Sequence, residues 1–260
     1  MSAHNAPMVT STTVKSAARS LQVLELFELI KRPAGLVEIA GTLGWPASST
    51  SMLLRTLCQM GYLNRDPTTQ RFAPTMRQAM MGGWIRAGGA DGHALAALVA
   101  DAQHATGLSA VLSTRHGLDV QYIYVDRVTP RGFSSRNPGS GTLRPICHCA
   151  AGMVMLADEP DERIALIARN AAAIRGRRIL LDDLMAKVGQ ARREGFAWQF
   201  GANRSDVGDV AVRVPVEDPF GQALVLSVGA SAQHVRDEHE ALGQTLRSLT
   251  GRFAELLRGR

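Results

Sequence analysis

The run Trp45-Pro-Ala-Ser-Ser-Thr-Ser-Met-Leu-Leu-Arg-Thr-Leu-Cys-Gln-Met-Gly-Tyr-Leu63 constrains this chain more than any other stretch. Ser48, Ser49, Thr50 and Ser51 follow a proline, and hydroxyl side chains at that place satisfy the free N–H groups of a helix start. Leu53, Leu54 and Leu57 then recur on one side of the helix from about Ser48 to Met60, Arg55 falls on the other, and Gly61 ends it before a strand. A short helix with an apolar back and a small polar front suits a DNA major groove. The same hydroxyl cluster is also what an ordinary helix cap looks like, so the flanking segments decide between the two readings.

Upstream, Leu21, Leu24, Leu26, Phe27 and Ile30 repeat at helical spacing up to Lys31-Arg32, where Pro33 and Gly35 close the segment. Leu36, Ile39, Ala40 and Leu43 form a second, shorter helix that stops at Gly44. Downstream, residues 61–65 alternate as a strand, Asp66-Pro67-Thr68-Thr69 supplies a turn, and residues 70–73 return as the partner strand. Three helices and a hairpin make a winged helix-turn-helix, expected over residues 14–76 after a polar, disordered lead-in at 1–13. Thr75 to Ala87 reads as a helix, so residues 77–89 are taken as a linker helix broken at Gly88-Gly89, and a further helix runs from Asp91-Gly92 to about Thr106. Beyond it, strand-like runs at 108–114, 120–128, 209–216 and 223–229 are interleaved with helical runs at 149–157, 162–170, 181–194 and 235–258. The fold class is therefore α+β: an N-terminal winged helix-turn-helix plus a C-terminal domain, residues 90–260, with an antiparallel sheet.

Composition narrows the function. A chain of 260 residues with 45% hydrophobic content can build two cores, and its net charge of +6 favours an acidic partner such as double-stranded DNA. No apolar run approaches the roughly 18 residues of a membrane-spanning helix, and residues 1–13 lack a signal-peptide core, so a cytoplasmic protein without membrane association is expected. Three cysteines, Cys58, Cys147 and Cys149, do not make a disulfide framework. Cys147-His148-Cys149 offers soft donors, but adjacent residues do not readily converge on one tetrahedral ion, so neither metal nor cofactor is expected. A redox role for Cys147 or Cys149 stays open, because thiol reactivity depends on exposure and pKa. There is no Gly-x-Ser-x-Gly elbow, phosphate-binding loop, His-Glu-x-x-His or dinucleotide fingerprint, and the acid pairs Asp182-Asp183 and Asp237-Glu238 fall on helix surfaces; the chain does not read as an enzyme.

Residues 14–27, 36–43 and 48–63 resemble the N-terminal domain of the IclR family of bacterial transcriptional regulators. The resemblance continues through Val120–Arg127, Pro145–Ala157, Arg193–Ala197, Val212–Val216 and Ala223–Gly229, in the family's order and approximate spacing. It implies a ligand-responsive DNA-binding regulator, dimeric or tetrameric, with a GAF-like effector-binding domain. Family members often carry Lys and Arg around the Ser/Thr pair, where this chain has Ala47 and Met52. DNA contacts are thus expected from Ser48, Ser49, Thr50, Ser51 and Arg55, with Arg19, Arg65 and Arg71 on phosphates.

The resemblance also implies an effector pocket at Cys147, His148, Cys149, Ala150 and Ala151, the last two offering backbone N–H groups to an effector carboxylate. Ala211 and Gly229 stand where relatives often have Cys and Ser, while Ser227 is retained. That less polar pocket, with Phe133 and Trp198 and with Arg136 or Arg144 as counter-charge, suits a small organic acid, an aromatic one included, and hence control of a catabolic operon. The alternative is a redox- or small-molecule-responsive binding protein whose N-terminal domain contacts protein rather than DNA.

Overall fold

The computed structural model describes residues 14–81, 86–87, 90–126, 139–176, 178–201, 205–218 and 221–258. They fall into two compact units that divide between residues 84 and 85.

The first unit opens with α1 (Lys15–Ile30), α2 (Leu36–Leu43) and α3 (Ala47–Gln59). Lys31 takes a left-handed conformation that ends α1, and Gly44 does the same for α2. A hairpin of β1 (Leu63–Arg65) and β2 (Phe72–Pro74) follows, then the short α4 (Met76–Met81). The Asp66 carboxylate accepts the backbone N–H groups of Thr68 and Thr69 at 2.7 and 3.1 Å, which fixes the turn. Ala34 exchanges both backbone hydrogen bonds with Phe72, so the α1–α2 connection adds a third edge to the wing. Val23, Leu26, Phe27, Ile39, Leu54 and Leu57 close the core beneath. The helix expected over residues 75–87 is corrected at its far end: α4 is described over Met76–Met81, residues 82–85 lie outside the described residues, and Arg86–Ala87 is a strand. The expected break at Gly88-Gly89 lies outside the described residues.

In the second unit β3 (Arg86–Ala87) pairs with β4 (Ala90–Asp91), and α5 (Gly92–Thr106) leads into β5 (Ser109–His116), β6 (Asp119–Asp126) and β7 (Leu143–Pro145). A 3₁₀ turn, Ile146–His148, precedes α6 (Ala150–Leu156), α7 (Asp161–Arg175) and α8 (Leu181–Glu194). β8 (Phe196–Phe200), β9 (Val207–Glu217), β10 (Ala223–Ser231) and α9 (Ala232–Arg258) complete the chain. β8 and β7, which the sequence pattern did not reveal, are the two edges of a six-stranded antiparallel sheet ordered β7-β6-β5-β10-β9-β8.

Period-two alternation gives this sheet two apolar faces. Val210, Val212, Val214 and Val216 of β9 join Leu224, Leu226 and Val228 of β10 against α5 and α9. Ala211 and Val225 face the other way, into a core built on α6 with α7 and α8 behind it. Every residue of α6 is buried, and Gly152 is the reason it can lie so close to the preceding turn. No helix among the described residues is long and apolar enough to cross a membrane.

A methyl group at Gly152 would stand 1.8 Å from the Ile146 carbonyl oxygen, which is backbone and cannot swing aside. Gly152→Ala is therefore expected to destabilise the second unit by about 2–4 kcal/mol in urea unfolding. Gly41→Ala, at an α2 position where a methyl meets nothing within 4 Å, should be neutral or stabilising by about 0.5–1 kcal/mol. Equal effects at the two positions would show that the close approach of α6 is not what Gly152 provides.

Candidate functional site

In the first unit α3 begins at Ala47, and its outer face carries Ser48, Met52, Arg55, Thr56 and Gln59 exposed. Thr50 does not belong to that face. It is fully buried, and its hydroxyl donates to the Pro46 carbonyl at 3.0 Å, so the expectation of a Thr50–DNA contact is corrected. The half-buried Ser49 donates to the same carbonyl at 3.0 Å. These hydroxyls bond back to the carbonyl that precedes the helix rather than capping its N–H groups, and leave Ser48 and Ser51 as the more available ones.

A groove of about 720 Å³ runs between α2, α3 and the wing, and Ser51, Arg55, Arg65, Arg71, Glu38 and Cys58 line it. Three of the expected arginines thus meet on one concave surface, although their positions span two elements and a loop. Arg55 is exposed with no ionic partner among the described residues. Arg71 donates to the Pro33 carbonyl at 3.1 Å and lies 3.9 Å from the Glu38 carboxylate. Glu38 also accepts from Arg32, and that hydrogen bond holds its carboxyl below the usual range. Arg65 rests 5.6 Å from the Phe72 ring centroid. Arg19 is outside the groove, its guanidinium 4.9 Å above the Trp45 ring just before α3. Glu38 is the groove residue that the sequence reading missed; an acid in the first turn of α2 resembles an ordinary dipole partner.

In the second unit Cys149, Ala150, Ala151, Ala211 and Ser227 all belong to the α6 side of the sheet, with Ser227 opposite Ala211 in register. Gly229 is exposed at the next position along β10, opposite Asp209. Trp198 is corrected: it packs on the α9 face, its ring 4.4 Å from that of His239 and stacked at 5.4 Å on Phe200. Alternation along β8 sends Ala197 to α6 and Trp198 away from it. Phe133 and Arg136 lie outside the described residues.

The amides of Ala150 and Ala151, expected to receive an effector carboxylate, already hold one of the chain's own. Asp209 Oδ2 accepts the Ala150 N–H at 2.8 Å, and the Ala151 N–H also bonds this carboxyl. Burial pushes the Asp209 pKa up to about 7, against the opposing pull of the two amides and Arg144. Tyr122 and Cys149 sit in the same cluster, both raised chiefly by burial and further by the negative charge of Asp209. Arg144 lies 5.9 Å from the Tyr122 ring centroid and hydrogen-bonds its phenol. Sequence reading missed Asp209, whose signal was an isolated acid in the otherwise apolar run Val207–Val212.

Cys147 is pushed up to about 11 by burial, so it and Cys149 are neutral thiols at physiological pH. Among the described residues no cluster of three or more His, Cys, Asp or Glu side chains could hold a metal ion.

Residues 16–67 match the IclR helix-turn-helix domain. A comparison with curated proteins returned no match. Among solved structures, the IclR transcriptional regulator of Alicyclobacillus acidocaldarius is 25% identical, with a TM-score of 0.53 over 94% of this chain and 98% of that one. The Thermotoga maritima IclR is 17% identical, with a TM-score of 0.55 over 94% of this chain and 98% of that one. An IclR homologue of Microbacterium hydrocarbonoxydans, solved with 4-hydroxybenzoate, is 16% identical, with a TM-score of 0.55 over 94% of this chain and all 100% of its own.

The folded pKa of Asp209, about 7, exceeds its ordinary value of 3.8. The native state therefore keeps a proton that the unfolded chain has released across that window. Its contribution to stability is fully present below about pH 4 and is lost as pH rises through about 7. Between pH 5 and 8 the stability difference between wild type and Asp209→Asn should move in favour of the variant by roughly 2–3 kcal/mol in urea unfolding. A difference that stays constant would mean that Asp209 titrates normally. For the thiols, brief iodoacetamide treatment of the native protein at pH 7.5 should leave Cys147 and Cys149 unmodified in peptide maps, and their rapid labelling would revive a redox role.

Proposed function

We propose that this chain, whose residues 16–67 match the IclR helix-turn-helix domain and which shares its fold with IclR transcriptional regulators, is itself such a regulator: it reads an operator through the groove between α3 and the wing and answers to a small organic effector held by its second unit. The family acts by binding DNA rather than by catalysis. The observation that carries the reading is the convergence of Ser51, Arg55, Arg65 and Arg71 on one groove. Arg55 and Ser48 face base edges, Arg65 and Arg71 take phosphates, and Arg19 braces the turn into α3 through Trp45. Paired half-sites call for paired recognition helices, so the working form is a dimer or a tetramer of such dimers.

The effector acts by binding DNA-competent and DNA-incompetent arrangements with different affinity. The 4-hydroxybenzoate complex of the Microbacterium homologue supports an aromatic ligand and, with it, a catabolic operon as the target. We place the effector on the α6 side of the sheet, near Ser227 and Ala211. The carboxylate of an organic acid is not placed on the Ala150 and Ala151 amides, because Asp209 occupies them. The reading in which the first unit contacts protein rather than DNA offers no use for three arginines around one groove.

A gel shift against the DNA upstream of the protein's own gene tests this. Arg55→Ala should weaken binding about tenfold and relax base preference at the position it reads, whereas Arg65→Ala should weaken binding across sequences alike and reduce the salt slope by about one. Thr50→Ala should instead lower unfolding stability by about 1 kcal/mol while affinity per folded molecule is kept. Binding that is indifferent to salt, or lost in Thr50→Ala alone, would count against the groove as the interface.

A further inference from the structure

We propose that Asp209 sets the charge class of the effector: by filling the amides at the start of α6 with the chain's own carboxylate, it turns away anionic groups and reserves this face for an uncharged or cationic hydrogen-bond donor. This rests on the reading of the second unit as an effector domain. It reverses the carboxylate expected at Ala150 and Ala151.

The geometry around Asp209 leaves little choice. The Ala150 N–H has one proton to donate and gives it to Oδ2 at 2.8 Å. The groups that face this carboxyl are Arg144 from β7, Tyr122 from β6 and the Cys149 thiol before α6. Across the ladder in β8 stands Gln199, whose side chain holds Lys187 of α8 at 2.8 Å. Arg144 is shared between Tyr122 and Asp209, so it is not a spare counter-charge for an outside acid. A second carboxylate within about 4 Å of the first would meet like charge where burial weakens screening, and the two could not both ionise. An amine, amide or hydroxyl meets the opposite condition, because Asp209 keeps acceptor capacity beyond its two amide bonds.

The test uses the full-length protein at pH 8, where Asp209 is ionised, with ionic strength held by chloride. Asp209→Gly vacates the amides and Asp209→Asn keeps a neutral acceptor on them. Sodium formate at tens of millimolar should raise the melting temperature of Asp209→Gly by about 3 °C or more, while wild type and Asp209→Asn move by less than about 1 °C. On wild type, benzylamine or benzamide should bind more tightly than benzoate. The proposal is overturned if formate raises wild type as much as Asp209→Gly, if a folded Asp209→Gly ignores formate, or if benzoate is the tightest of the three probes on wild type.

Should Asp209→Gly fail to fold, NMR on wild type decides. The Ala150 and Ala151 amide shifts must titrate together as pH passes from 5 to 8, and flat shifts overturn the proposal. The effector-domain reading fails on a different readout, namely operator binding that a pool of small metabolites leaves unchanged in wild type and Asp209→Gly alike.

Discussion

The ladder that joins β9 to its neighbours on either side supports two cores at once, and the rest of the second unit is arranged around it. With a side-chain period of two, Val210, Val212, Val214 and Val216 must all point to α5 and α9, and Asp209 and Ala211 must both point to α6. A slip of one residue would send four valines out of one core and a carboxylate into it. Each buried valine contributes roughly 1.5–2 kcal/mol, so the valines outweigh the cost of burying one acid and hold the register. Asp209 therefore occupies its place through no preference of its own. The strand puts it there, and the amides of α6 make the position tolerable.

The first unit solves a different problem with the same economy of parts. The start of α3 is held in place by the Ser49 and Thr50 hydroxyls, which bond to the Pro46 carbonyl, and by Arg19, which stacks on Trp45. Ala47 and Met52 leave the helix start without positive charge, and the groove draws it from Arg55, Arg65 and Arg71. Glu38 moderates that gain. By engaging Arg32 and approaching Arg71, it neutralises part of that basic surface.

Much of this organisation was legible in the sequence, where local chemistry and hydrophobic period agree. The helix-turn-helix, the Asp66 turn of the wing and the long strands of the second unit each carry such a signal. The losses have physical causes. Thr50 looks like its serine neighbours in composition, and only its place on the Leu54–Leu57 side of α3 buries it. Trp198 and Ala197 are adjacent in sequence, yet a strand sends them to opposite faces. β7 has three residues and β8 five, too short for alternation to stand out. The junction of Asp209 with Ala150 joins residues 59 apart, which local pattern does not encode.

That long-range contact is also where resemblance and chemistry part. A family likeness transfers backbone features well, and the amides at the start of α6 are such a feature. It transfers the occupant of those amides poorly, because one side chain from a neighbouring strand can take their place. Helix-start amides bind whichever carboxylate is present at the higher effective concentration, and a tethered side chain exceeds any free metabolite in that respect. An acid reaching this chain would have to displace Asp209 and leave it buried without its hydrogen bonds, or find it protonated. Either route adds a cost that empty amides would not impose, so a single strand position can change the class of ligand that one fold accepts.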